Sequence, residues 1–186
     1  MDYPSSPFHP NSYMMNTDKP FHDFELVMQS MITKTQDYFE TEHETGMAHV
    51  ALDAVGVDSP ALLDMTVIVG LGGMINLLAV FSFQTSLVNA VYAWMTVGFH
   101  DRPDEVERHR QAAIGELVNT ILGHCTLDFG HLDSQGISLT PPVILDPDNV
   151  FPEMNHAVFS RHCLNSMYGR LNISLVGFPE VFPIKT

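Results

Sequence analysis

Basic residues are scarce in this chain. Eight Lys and Arg stand against 22 Asp and Glu in 186 residues, a formal net charge of −14. A surface that negative repels a phosphate backbone and the anionic face of a membrane. Neither nucleic acid nor a membrane is therefore an expected partner, and a phosphorylated ligand must bring its own cation or meet a local positive spot. Cysteine is nearly absent too: Cys125 and Cys163 form no motif and no disulfide framework, which suits a reducing, cytoplasmic setting. Residues 1–19 lack the basic start and apolar stretch of a signal peptide. They are expected to form an arm, flexible or tied down by a partner subunit, ahead of a single domain over residues 20–186.

A third shortage is local. From Met65 to His100 there is no Asp, Glu, Lys or Arg. About 20 apolar residues suffice for a membrane helix, but the flanking Asp64 and Asp101 are the wrong anchors for one. Gly70, Gly72, Gly73 and Asn76 interrupt the run, and its first half is rich in β-branched residues. Buried strands followed by a packed helix account for it better.

The rest of the chain falls into short periodic segments. Phe21, Phe24, Val27, Met28, Met31, Ile32 and Phe39 recur at helical spacing, predicting an amphipathic helix over Pro20–Glu42. His49–Val55 reads as a strand. Met65–Val69 and Ile75–Phe83 read as two more, with the glycines between them as a hairpin turn. Thr85 or Ser86 can cap a helix to Val97. Arg102-Pro103-Asp104-Glu105 opens another, with Gly123 as its stop. Strands are then expected over Ile137–Leu145, His156–Leu164 and Leu171–Phe178, the last two joined at Tyr168-Gly169. Pro141-Pro142 cannot donate ladder hydrogen bonds and marks an edge, a bulge or a strand end. The order is helix, three strands, two helices, three strands, which suggests two related α+β units without a residue-level repeat.

The helix over Glu105–Gly123 is the informative one. At about 100° per residue, Ile114, Leu117, Val118 and Ile121 gather on one side. Glu116 and Asn119 lie opposite, one turn apart, and share their stripe with Arg108, Ala112 and Gly123. An exposed Glu beside an Asn is ordinary for a solvated helix face, so spacing alone assigns these residues nothing.

The run Gly115-Glu116-Leu117-Val118-Asn119-Thr120-Ile121-Leu122-Gly123 resembles the Glu-Leu-x-Asn-x-Ile-x-Gly segment of the CheC/CheX family of chemotaxis phosphatases. That family's pattern is Asp or Ser, three residues, Glu, two residues, Asn, twenty-two residues, Pro. The proline falls on Pro142, within a strand ending in Pro-Pro as in the family, and the element order from Phe21 to Phe178 is similar. The position for Asp or Ser is Ala112 here. A second copy of the motif is absent, since the first helix has Glu25 but Met28 in place of Asn, which makes the chain more like CheX than CheC.

The resemblance implies a CheC-like α+β fold of two helix-plus-three-strand units, with an antiparallel sheet packed by helices. It implies a phosphatase acting on the aspartyl phosphate of a CheY-like receiver. Asn119 would hold the attacking water, Glu116 would pair with the receiver's lysine, and Ala112 and Pro142 would border the docking surface. Mg²⁺ would come from the receiver and no cofactor from this chain. A homodimer joined through strands is implied as well. The alternative is a non-catalytic module that docks on a receiver, which Ala112 and the acidic surface favour. Other chemistry has less support. The ten histidines show no zinc-type spacing, and no Lys-Ser/Thr follows Gly70–Gly73 to make a phosphate loop.

Overall fold

The computed structural model describes residues 19–56, 62–73, 76–98, 100–129, 137–145 and 157–177. The proposed arm lies almost wholly outside them. Among these residues, three helices, α1 (Lys19–His43), α2 (Thr85–Met95) and α3 (Val106–Phe129), accompany seven strands: β1 (Ala48–Gly56), β2 (Met65–Gly73), β3 (Leu77–Phe83), β4 (Ile137–Leu139), β5 (Val143–Leu145), β6 (Val158–Ser166) and β7 (Gly169–Gly177). All described strand pairs are antiparallel, in one sheet of order β1-β6-β7-β3-β2-β4, with β5 also on β2.

That order is palindromic if β4 and β5 count as one strand. Each helix-plus-three-strand unit lends its first strand to the other unit's hairpin: β1 pairs with β6 of the second, β4/β5 with β2 of the first. The units meet at β3 and β7. Two related units are thus legible in the pairing even though no repeat is legible in the residues.

Strand alternation sends Val67, Val69, Leu71, Leu77, Ala79, Phe81, Phe83, Leu171, Ile173 and Leu175 to one face. All are buried, in one cluster with Met31, Ile32 and Phe39 of α1, Leu87 and Val91 of α2, and Ile114, Leu117 and Ile121 of α3. The three helices therefore cover one face of the sheet. Truncating any of the fully buried α3 residues to Ala would cost about 2–5 kcal/mol. The charge-free run resolves into β2, β3 and α2, and no described helix is long and apolar enough to cross a membrane.

Three expectations need correction. The glycines Gly70, Gly72 and Gly73 belong to β2 itself, since Leu71 already faces Leu77 across the hairpin. Close approach requires the first two: a Cβ on Gly70 would stand 2.8 Å from Thr140 Cγ2, and one on Gly72 2.8 Å from Ser138 Oγ. Gly123 does not stop α3, which runs on to Phe129. A glycine costs a helix only about 1 kcal/mol. Beyond it Cys125 is buried, and Asp128 accepts a hydrogen bond from Ser30 (2.7 Å) and pairs with Lys34 (3.3 Å) on α1. Neither Thr85 nor Ser86 caps α2: the N-cap residue is Gln84, and Asp64 Oδ2 accepts from both the Thr85 backbone N–H and its hydroxyl (2.7 Å each).

The expected strand over Ile137–Leu145 is split. Leu139 faces Leu71 and Val143 faces Ile68, so the edge strand advances four residues while β2 advances three. The bulge contains Pro141 and Pro142, which have no N–H to offer a ladder. Thr140 bridges the break, its N–H donating to Gly70 O (3.0 Å) and its hydroxyl accepting from Gly70 N–H (2.8 Å). The Tyr168-Gly169 hairpin forms as expected, with Gly169 at φ +139° opposite Ser166.

Candidate functional site

α3 presents two unlike sides. Ala113, Ile114, Leu117, Val118, Ile121, Leu122 and Cys125 are buried. Ala112, Glu116 and Asn119 are exposed, one turn after another along a single stripe. Neither Glu116 nor Asn119 makes a hydrogen bond or ion pair among the described residues, so a carboxylate and an amide are displayed to solvent uncommitted. Arg108 stands at the stripe's N-terminal end, its side chain 71% exposed and its guanidinium 3.4 Å from Glu105. Next to it, Asp101 accepts from the Tyr92 hydroxyl and pairs with His109 Nδ1 at 2.8 Å. These hydrogen bonds hold the Asp101 carboxyl below its ordinary range.

Pro142 comes to the same helix from the split edge strand. It is half-buried. A Cβ on Gly115 would lie 3.9 Å from Pro142 Cγ and from Ile144 Cδ1. The bare backbone of Gly115, one residue before Glu116, thus lets the Pro-Pro bulge settle against α3. All four residues singled out by sequence, Ala112, Glu116, Asn119 and Pro142, lie on α3 or on the bulge packed against it.

One neighbour was not anticipated. Tyr38, on α1, is half-buried close to Glu116. Burial first, then the carboxylates of Glu42 and Glu116, hold its phenol above the ordinary value of 10.0. Its ring meets His43 edge-on (centroids 5.6 Å), and His43 stacks on Trp94 at 4.1 Å. No sequence signal connects Tyr38 to Glu116, because their nearness follows from the packing of α1 along α3.

The arrangement can receive another macromolecule rather than enclose a small one. The motif side chains stand proud of a helix with small neighbours, and an Asn amide offers both a donor and an acceptor to a water.

The fold is that of several solved structures. A chemotaxis protein CheX from Desulfovibrio desulfuricans superposes with a TM-score of 0.67 at 15% identity, covering 80% of this chain and 97% of that one. A CheX from Borrelia burgdorferi, in a complex with CheY, BeF3 and Mg²⁺, gives 0.59 at 16% identity over 83% and 96%. FliY from Thermotoga maritima gives 0.58 at 14% over 90% and 94%. No protein of curated function matches in sequence. Residues 65–158 match the family model for the chemotaxis phosphatase CheX; that span takes in β2 through α3, the Glu116–Asn119 stripe and Pro142, and the chain belongs to the CheX family.

Proposed function

We propose that this chain hydrolyses the aspartyl phosphate of a CheY-like receiver, with Asn119 positioning the attacking water and Glu116 docking the receiver's lysine. The observation that carries the reading is the shared exposure of Glu116 and Asn119, uncommitted, on a helix face bordered by Pro142. The Borrelia relative bound to CheY supports the choice of partner.

An acyl phosphate is already reactive, so catalysis needs positioning more than new covalent chemistry. Water attacks phosphorus in line with the acyl oxygen. The P–O bond breaks, its electron pair leaves on the aspartate carboxylate, and inorganic phosphate departs with the water's oxygen. Asn119 holds that water through its amide. Glu116 faces away from the phosphate, because like charges repel, and meets the receiver's lysine instead. Mg²⁺ belongs to the receiver and neutralises the phosphoryl oxygens. Ala112 and Pro142 border the docked surface, Ala112 leaving it open and Pro142 shaping it.

The setting is the cytoplasm, where such receivers work. Two chains pair through sheet edges, of which the last third of the sequence supplies β4/β5 and the first third β1.

The test is decay of a radiolabelled, phosphorylated CheY-like receiver from the same cell, with Mg²⁺, in the presence of wild type, Asn119→Ala or Glu116→Ala. Asn119→Ala should slow hydrolysis by about 10²-fold or more while still binding. Glu116→Ala should lose binding. A receiver that binds wild type but keeps its label would make the chain a non-catalytic docking module, the reading that Ala112 favours.

A further inference from the structure

Among the described residues no group of three or more His, Cys, Asp or Glu is placed to hold a metal ion. Two imidazoles nonetheless converge at the edge of the sheet. In the β1–β6 pair His49 faces Leu164 and His162 faces Ala51, so the two histidines stand diagonally on one face. It is the face that carries the helices, because Leu164 belongs to the main core. β1 ends the sheet there, leaving His49 exposed and His162 half-buried.

His49 Nε2 and His162 Nδ1 share a hydrogen bond of 2.9 Å, one ring donating and the other accepting, and the ring centroids are 5.1 Å apart. Two imidazoles sharing one tetrahedral cation, each nitrogen about 2.0–2.1 Å from it, have centroids about 5 Å apart. The rings already stand at that separation. The two nitrogens face each other across one hydrogen bond, and a cation would take the place of the proton between them.

We infer that His49 and His162 form a two-histidine chelate for a first-row divalent cation of the class imidazole favours, Zn²⁺ or Cu²⁺, with water completing the shell. Structural zinc sites close all four positions with protein ligands. This one leaves positions open and holds an exchangeable ion. It stands at the opposite edge of the sheet from β4/β5 and Pro142, and does not depend on the reaction proposed above.

The test uses the full chain, stripped with a chelator and titrated with zinc chloride by calorimetry at neutral pH. One zinc per chain is expected. Removing a group that hydrogen-bonds to a metal ligand typically weakens affinity about 10–100-fold, so loss of a ligand itself in His49→Gln or His162→Gln should weaken zinc by at least about tenfold. Copper bound to wild type should show hyperfine coupling to two nitrogens, and to one in either variant. His124→Gln, which alters an exposed histidine of α3, should change neither measurement. A wild type that takes up no zinc overturns the inference. So does zinc binding unmoved in His49→Gln, whose exposed side chain can be replaced without disturbing the core.

Discussion

Gly115 on α3 and Pro142 in the edge-strand bulge are fitted to each other at van der Waals distance: a Cβ on the glycine would lie 3.9 Å from Pro142 Cγ. A methyl group therefore fits at ordinary contact distance. Gly is about 0.8–1.0 kcal/mol less favourable than Ala inside a helix, so Gly115→Ala should stabilise the protein by up to about 1 kcal/mol in urea unfolding. Gly115→Leu should instead push the bulge outward and cost about 1–3 kcal/mol. A Gly115→Ala protein that unfolds at lower urea than wild type would contradict this fit.

Gly70 has the opposite geometry. Its added Cβ would meet Thr140 Cγ2 at 2.8 Å, closer than carbon atoms pack. Gly70→Ala is expected to cost about 1–3 kcal/mol. Thr140→Ser removes that methyl group while keeping the oxygen that accepts from Gly70 N–H, so the double variant should recover part of the loss. A double-mutant cycle with no coupling would place the strain elsewhere.

These two glycines show what the sequence discloses and what it withholds. The stripe of Ala112, Glu116 and Asn119 was legible because a helix has one period, and Ile114, Leu117, Val118 and Ile121 fix which side is buried. The glycines of β2 look like a turn in sequence because glycine serves turns and close approaches alike, and only the partner strand separates the two uses. Thr140 lies 70 residues from Gly70, beyond any local pattern. The same limit hid the cap of α2, supplied by Asp64 from before two strands, and the run of α3 past Gly123, held by Ser30 and Lys34 of α1. Tyr38 beside Glu116 was hidden for the same reason. Pro141-Pro142 was readable because the missing N–H acts wherever the residue sits.

Asp64 ties acid stability to α2. Its carboxylate accepts two hydrogen bonds from Thr85, and these hold it below its ordinary value of 3.8. A carboxyl depressed in the folded state binds fewer protons there than in the unfolded chain. Its contribution is thus complete above 3.8 and lost as pH falls through that value toward the lower folded one. Asp64→Ala should cost about 1 kcal/mol near neutral pH, as loss of a helix cap does. Asp64→Asn keeps an acceptor and should cost less. Both should flatten the fall of melting temperature with acid. An unchanged slope below pH 3.8 in Asp64→Ala would remove Asp64 from the acid response.

Ala112 offers the sharpest test of the proposed site. It lies one turn before Glu116 on the exposed stripe, where the family pattern carries Asp or Ser. Because the side chain is solvated, Ala112→Ser and Ala112→Asp bury nothing and should change stability by only about 0.5 kcal/mol, the helix-propensity difference. Any change in hydrolysis then reports on the docked complex, not on folding. If a polar group there completes the site, both variants should speed receiver dephosphorylation at unchanged or tighter binding. Ala112→Leu should weaken binding by crowding the receiver. Rates and affinities unmoved by all three would mean that the receiver does not reach this turn of α3, and the docked surface would have to begin at Glu116 and run toward Asn119 and Pro142. The two results separate a site lacking one polar group from a site that never used it.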